Sequence, residues 1–499
     1  VSPRGATARL RSAWIRRTRP HIAAWSPIEG LSLGQTVAAV LPVLIVYAEL
    51  SCLGANTVFL SAAAAVVNIA TALVVVGLVG RATPAGLWTG VAPSAVLFGL
   101  AVAWGAIGLA PEARPDWTGP YLTAAGASGL GVAPDRTLLE LAKLVGVAAI
   151  ALATAVAAST PQRMRVAVVT LLTVGVLHTL ASLMLYALDP DTVVGFAKGG
   201  NRWRFTGTLL NANAFGCSLA MVAAMAAAQF RLELRGLQRT PAGARSNRIV
   251  RVLISAMLIV LFAAACGMTL SRTSLAALAA AVLFVIFWPS RGADVTAGGA
   301  RSRLARWGPA VIGVVFAAGL LAVAIRMTGG QTLARLSSVW DDLPTRLGAF
   351  QLVADRIGEA PLFGYGLGSF AAVVPPGQSL DLAALIWNMG AAHNAWLQAA
   401  LEGGVPFAIL LTLSAATLFA TAFLRRSVNA AERSVRIGAA GALFVAIVCS
   451  MVDIALNVPA VAAQAMLILG LLTGAALSEP PMRRSRRSSL HAGFEQAGK

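Results

Sequence analysis

Charge is scarce in this chain. Only 12% of its 499 residues are Asp, Glu, Lys or Arg, about half of what a soluble domain carries. Apolar residues make up 58% and recur in runs of about 20, so a water-soluble globular domain is excluded. The expected fold class is all-α, a polytopic membrane helix bundle. Cysteine is sparse as well. Cys52, Cys217, Cys266 and Cys449 lie in or beside apolar segments and form no CxxC pair. That excludes a disulfide framework or a thiolate metal site and reads as small buried apolar groups. There is no HExxH, no Walker loop and no row of intramembrane carboxylates, so neither a metal nor another cofactor is expected, and no ion-coupled pathway is marked. The glycine turn GYGLGSF (364–370) falls on the outer side, away from ATP. No soluble domain or internal repeat is visible.

What is present is small residues and arginine. The 48 glycines and many alanines suit close helix packing in lipid. The net charge of +19 is not a nucleic-acid footprint, because no basic patch is interleaved with stacking aromatics. It follows loop sidedness instead. Twelve spans, or another even number, are expected, at 31–50, 59–79, 92–110, 138–158, 166–188, 208–230, 250–270, 274–288, 309–326, 405–424, 437–457 and 460–477. With the N-terminus inside, the inward segments hold 28 of the 39 Lys and Arg, including every strongly basic loop, and both termini are cytoplasmic. The organisation is then a basic tail (1–30) before an uncleaved first span, five spans (31–200), a second membrane region (201–478) with a long outer loop (327–392), and a basic tail (479–499). In the long loop Leu333, Leu336, Val339 and Trp340, then Leu347, Phe350, Val353 and Ile357, recur at helical spacing. Two short amphipathic helices are expected, the second starting near Pro344.

Histidine is limited to four residues. His21 and His491 lie in the basic tails. His178 lies inside a span, as a functional group or as a bond to a neighbouring helix. His393 follows the long outer loop, beside Asn394. From residue 391 to 424 is about 51 Å of helix, against a hydrocarbon core of about 30 Å. A break at Gly403, Gly404 and Pro406 is therefore expected, with His393 at the outer membrane–water boundary. Arginines share that side: Arg202 and Arg204 in GGNRWRFTG, and Arg272 in the tight turn TLSRTSLAAL. Such residues either snorkel to headgroups or grip phosphate with a fixed fork of donors. Arg346 on the loop joins this set or lies on a solvated face. Three arginines with a lone histidine point to a phosphate-bearing lipid with a base beside it. Glu49 and Asp453 stand alone near span ends, as caps or helix–helix bonds.

These residues resemble the O-antigen ligase and polymerase superfamily. The matching pieces are Arg204-x-x-Gly207 leading to Asn213, Ser271-Arg272, Pro361-Leu362-Phe363-Gly364-Tyr365-Gly366, and His393-Asn394 with Leu397, Glu402 and Gly403. The resemblance covers about 202–406. It implies a GT-C-like, metal-independent glycosyltransferase working at the periplasmic face of the bacterial inner membrane. The implied donor is an undecaprenyl-diphosphate-linked glycan. The implied acceptor is a lipid A-core sugar in lipopolysaccharide ligases, another lipid-linked unit in polysaccharide polymerases, or a protein in O-glycosylating relatives. Carried over by position, Arg204 and Arg272 hold the diphosphate and His393 takes the acceptor proton. Arg202, Arg346, Asn213 and Asn394 are the further candidate substrate-binding residues. Twelve spans with both termini inside also suit a transporter of a small solute or ion, but no paired, interrupted spans mark one.

Overall fold

The computed structural model describes residues 30–109, 133–288, 319, 339–374, 390–425, 427 and 429–477. Nearly all of these are helical, in the order α1 (Leu33–Ser51), α2 (Val58–Val79), α3 (Ala85–Ala106), α4 (Pro134–Ala157), α5 (Pro161–Leu188), α6 (Ala212–Arg239), α7 (Ser246–Met268), α8 (Arg272–Phe287), α9 (Val339–Glu359), α10 (Ala395–Phe423), α11 (Ala430–Val452) and α12 (Pro459–Leu477). Ten of them, all but α8 and α9, are long and apolar enough to cross a membrane. The fold is the expected all-α membrane bundle. Eleven of the twelve expected spans correspond to these helices. The ninth (309–326) lies outside the described residues, as do His21, His491, nearly all of both basic tails, Leu333 and Leu336. At 16 residues, α8 is about 24 Å long, short of the hydrocarbon core.

The bundle is centred on α6 and α12. Phe215, Met221, Met225 and the alanines 223, 224 and 226–228 of α6 are buried, as are Leu467, Ile468, Leu471 and Leu472 of α12. Small residues let helices meet closely where no water-driven collapse helps. Gly216 shows why: a Cβ there would come within 2.8 Å of Thr269 Oγ1 and 2.9 Å of Ser274 Oγ. Only glycine lets the α7–α8 turn, which carries Arg272, rest against α6.

Three helices begin at one end of the bundle, each with a polar cap. Asn211 Oδ1 accepts from Asn213 N and Ala214 N ahead of α6. Ser271 Oγ accepts from Ser274 N ahead of α8. Asn394 Oδ1 accepts from Trp396 N and Leu397 N ahead of α10. Such caps satisfy amide donors that have no intrahelical partner.

The expected break in α10 is present. Gly404 has φ 81° and ψ 164°, so the helix is two pieces meeting at an angle. The broken ladder is repaired by the segment PLFGYGLGSF (361–370). Tyr365 N donates to Leu401 O (3.0 Å), Gly366 N to Glu402 O (2.8 Å), and Val405 N to Pro361 O (2.8 Å). Trp104 Nε1 on α3 donates to Leu362 O at 3.1 Å, with its ring stacked on Phe363, and Thr137 Oγ1 on α4 donates to Leu367 O. What the sequence offers as an isolated glycine turn is thus a clamp around the helix break.

Above this clamp, Ala349 and Val353 of α9 join Tyr365, Phe370, Ala392 and Leu401 in a small apolar cluster. Where a helix restart at Pro344 is expected, α9 runs unbroken from Val339 to Glu359. Tyr365 hydroxyl donates to Glu359 Oε2 (3.0 Å), and burial pushes that phenol above its ordinary value. Between α5 and α6 a two-stranded hairpin, β1 (Thr192–Val193) and β2 (Phe196–Ala197), turns through Val194 and Gly195. Cys217, Cys266 and Cys449 are buried thiols as expected, whereas Cys52, just past α1, is exposed.

Candidate active site

The end of the bundle where α6, α8 and α10 begin also receives the C-terminus of α11, and with it Asp453. Asp453 is buried, and its Oδ1 lies 3.5 Å from Nδ1 of His393, which is about one third exposed. Asp453 Oδ1 also accepts from Ile454 N (2.7 Å), and its Oδ2 accepts from Asn213 Nδ2. Asn213 Oδ1 in turn accepts from Arg204 Nη2 (2.8 Å). A polar line therefore runs from His393 through Asp453 and Asn213 to Arg204.

Arg204 is buried, and its guanidinium donates to protein oxygens: Nε and Nη2 to Thr269 O (3.1 and 2.8 Å) and Nη1 to Asn201 Oδ1 (3.1 Å). The carbonyl it grips belongs to the α7–α8 turn, three residues before Arg272. Arg272 is the first residue of α8 and is half-buried. Ser274 Oγ ties the same turn to Asn213 O at 3.3 Å. The charge of Arg204 thus lies beneath the turn that presents Arg272, and Arg202 is exposed two residues before it. Asn394, besides capping α10, donates to Met451 O at 3.0 Å, joining α10 to the end of α11. Arg346 is in α9; its side chain lies outside the described residues.

Backbone conformation singles out the same residues. Among the described residues five non-glycines have positive φ, and three flank this site: Trp203 (56°), before Arg204; Leu270 (55°), before Ser271-Arg272; and His393 itself (51°). Left-handed non-glycine residues persist only where their surroundings fix them. Tyr186 hydroxyl holds Trp203 O (2.8 Å), and buried Lys198 Nζ reaches Pro190 O (2.7 Å) and Arg204 O (3.3 Å). Burial pushes the Lys198 ammonium below its ordinary value, against the pull of Asp189 and Asp191.

His178 serves elsewhere. Its Nε2 is 2.8 Å from Thr208 Oγ1, and that hydroxyl donates to Leu50 O at 2.7 Å. The hydroxyl proton is thus committed, so Nε2 carries the hydrogen. The ring lies edge-on to Tyr47 and Phe215. It bonds α5 to the segment entering α6 and is not part of the His393 cluster. His178→Ala is expected to lower stability by about 3 kcal/mol through lost packing and one lost hydrogen bond. Thermal unfolding in detergent reads that loss, and the surviving folded fraction keeps its activity.

Chemically, Asp453 beside Nδ1 favours the hydrogen there and leaves Nε2 of His393 as a proton acceptor. Three helix N-termini around the pair carry partial positive charge suited to an anion. Two members were not selected from the sequence. Asp453 stands 60 residues from His393 and reads as a solitary span-end acid. Its usable signal is that the charge alternation of the loops puts it on the same side as His393. Gln398 carries no chemical flag at all. Among the described residues no group of three or more His, Cys, Asp or Glu side chains is arranged to hold a metal ion.

Residues 257–412 match a family model described as O-antigen ligase. The match runs from within α7, through Arg272 and α9, to the kinked α10 with His393. Arg204, Asn213 and Asp453 lie outside it. No curated protein matches the chain. The matched segment carries the histidine, the Ser-Arg turn and the helix break in a bundle of membrane helices, so the chain is a multi-pass membrane protein with an O-antigen ligase-like segment, which supports a role in glycan processing.

Proposed function

We propose that the protein is an inverting glycosyltransferase of a bacterial inner membrane, using an undecaprenyl-diphosphate-linked glycan at the periplasmic face, with both termini cytoplasmic. The observation that carries this reading is the His393–Asp453 pair at the meeting point of three helix N-termini and the arginine-held turn of α8. His393 Nε2 takes the proton of an acceptor hydroxyl as that oxygen attacks the anomeric carbon. The new C–O bond forms as the bond to the diphosphate breaks, and undecaprenyl diphosphate leaves with the electron pair. Asp453 steadies the imidazolium that forms. Arg272, together with Arg202, binds the diphosphate, and the helix N-termini stabilise its growing charge. Arg204 contributes its charge and fixes the Thr269 carbonyl, and so the position of Arg272. Asn213 keeps Asp453 in register with Arg204, and Asn394 fixes the start of α10 beside His393. Arg346 of α9 is a further candidate substrate-binding residue in addition to these arginines. The resemblance of the motifs to ligases and polymerases supports a sugar hydroxyl as acceptor and chemistry without a metal.

The test is reconstituted protein with lipid-linked glycan and candidate acceptors, in the presence of chelator. Wild type is expected to transfer glycan. Arg272→Ala is expected to lose about 10²- to 10³-fold in rate, with Arg272→Lys recovering only part, since lysine lacks the fork. Full activity in Arg272→Ala would remove the diphosphate assignment. Absence of transfer by wild type to every acceptor would favour the transporter layout.

A further inference from the structure

Gln398 sits one turn into α10, below His393. Its Oε1 accepts at 3.2 Å from the backbone N–H of Ala392, the residue immediately before left-handed His393, and also from Asn457 Nδ2. Asn457 closes the short turn after Asp453, with its N–H on Ile454 O (2.8 Å), while Ile454 N donates to Asp453 Oδ1 (2.7 Å). Gln398 Nε2 donates to Glu402 Oε1 at 3.1 Å. Glu402 is buried at the helix break, and its carboxylate also accepts from Gly368 N (2.9 Å) and Phe370 N (3.3 Å) of the clamp segment.

The direction of every bond in this line is forced. A backbone N–H only donates, so the Ala392 amide fixes the oxygen end of Gln398 and turns its nitrogen toward residue 402. That neighbour must accept there, and it must also accept from two backbone amides of the clamp. Glutamate meets all three demands; glutamine cannot. The line thus joins the helix break, the peptide before His393 and the turn after Asp453.

We propose that Gln398 and Glu402 are positioning residues for the His393–Asp453 pair: Gln398 holds both partners from below, and Glu402 sets which end of the Gln398 amide donates. This rests on the glycosyl-transfer reading for the reaction served, but not for the geometry. The decisive variants exchange the two side chains. In Gln398→Glu alone two carboxylates face each other. In Glu402→Gln alone a second amide must present a hydrogen either to the Gln398 nitrogen or to the clamp amides. In the double exchange the residue at 398 accepts from Ala392 and Asn457, and the amide at 402 donates to it while its oxygen accepts from Gly368 N, so the line runs in reverse with only the longer bond from Phe370 N given up, because that donor shares Oε1 with Gln398 Nε2.

Each single variant is expected to lower kcat for transfer by about 10- to 100-fold, with donor KM within about 2-fold of wild type. The double variant is expected to return to within about 5-fold. A second readout needs no glycan: the rate at which diethyl pyrocarbonate modifies His393, followed on its own peptide by mass spectrometry. It is expected to change by at least about 3-fold in each single variant and to return in the double. Singles that match wild type in both readouts overturn the proposal. So does a double no better than the worse single. A wild type that transfers nothing would overturn the proposed reaction, while the His393 modification rates would still decide the positioning role.

Discussion

His393→Ala is expected to lose glycan transfer by about 10³-fold or more, and Asp453→Asn to lose on the order of 10³-fold, with both proteins inserted and folded. The first removes the proton acceptor. The second keeps size and shape but breaks a locked pattern of donors. Asp453 accepts at one oxygen from Ile454 N and at the other from Asn213 Nδ2, with His393 Nδ1 at 3.5 Å. An asparagine at 453 must aim its NH2 at one of these donors. Asn213 cannot turn over to accommodate it, because its oxygen accepts from Arg204 Nη2. The substitution therefore disturbs the histidine tautomer on one side and the arginine anchor on the other. Initial rates in the reconstituted assay measure both effects. The double variant is expected to be no slower than His393→Ala alone, because the two residues act as one unit. A wild-type rate in His393→Ala would remove the base. A wild-type rate in Asp453→Asn would leave the histidine without a functional partner.

Gly404→Ala is expected to be the most damaging single-methyl change in the chain. Its φ of 81° with ψ of 164° is a region open essentially to glycine alone, which costs about 3 kcal/mol for another residue. In addition, a Cβ there would collide with the carbonyl of Leu362 in the clamp. Neither strain relaxes without releasing the other, because the clamp supplies the bonds that the broken helix cannot make for itself. The expected result is a strong loss of folded protein, read by thermal unfolding and size-exclusion in detergent, with transfer lost in what remains. Gly77→Ala in α2 is the control, since a Cβ there meets nothing within 4 Å, and it is expected to be neutral. An active, stable Gly404→Ala protein would show that the break does not set the position of His393.

Much of this was legible along the chain because its causes are local. Apolar runs place the spans, but the caps Asn211, Ser271 and Asn394, which fix where the helices begin, came from the structure. Gly403-Gly404-Pro406 announces the break, because a helix of that length cannot fit the bilayer unbroken. His393 stands out because so few histidines exist and it alone follows the long loop. The chain does not reveal which helices are lateral neighbours. In lipid that choice rests on small residues meeting backbone across many equivalent faces, as at Gly216, and no sequence period encodes it.

The sequence by itself therefore determined the membrane bundle, the ten spans long enough to cross a membrane among the described residues, the break in α10, and the family resemblance carried by Ser271-Arg272, PLFGYG and His393-Asn394. Only the tertiary structure decided that Asp453 is the partner of His393 and that His178 bonds α5 to the segment entering α6. It also decided that Arg204 grips the turn presenting Arg272, and that Gln398 and Glu402 join the break to the site. The reason is physical. Hydropathy, caps and breaks follow from a residue and its near neighbours. A buried hydrogen bond needs a donor and an acceptor brought together from anywhere in the chain, and only packing decides which two meet.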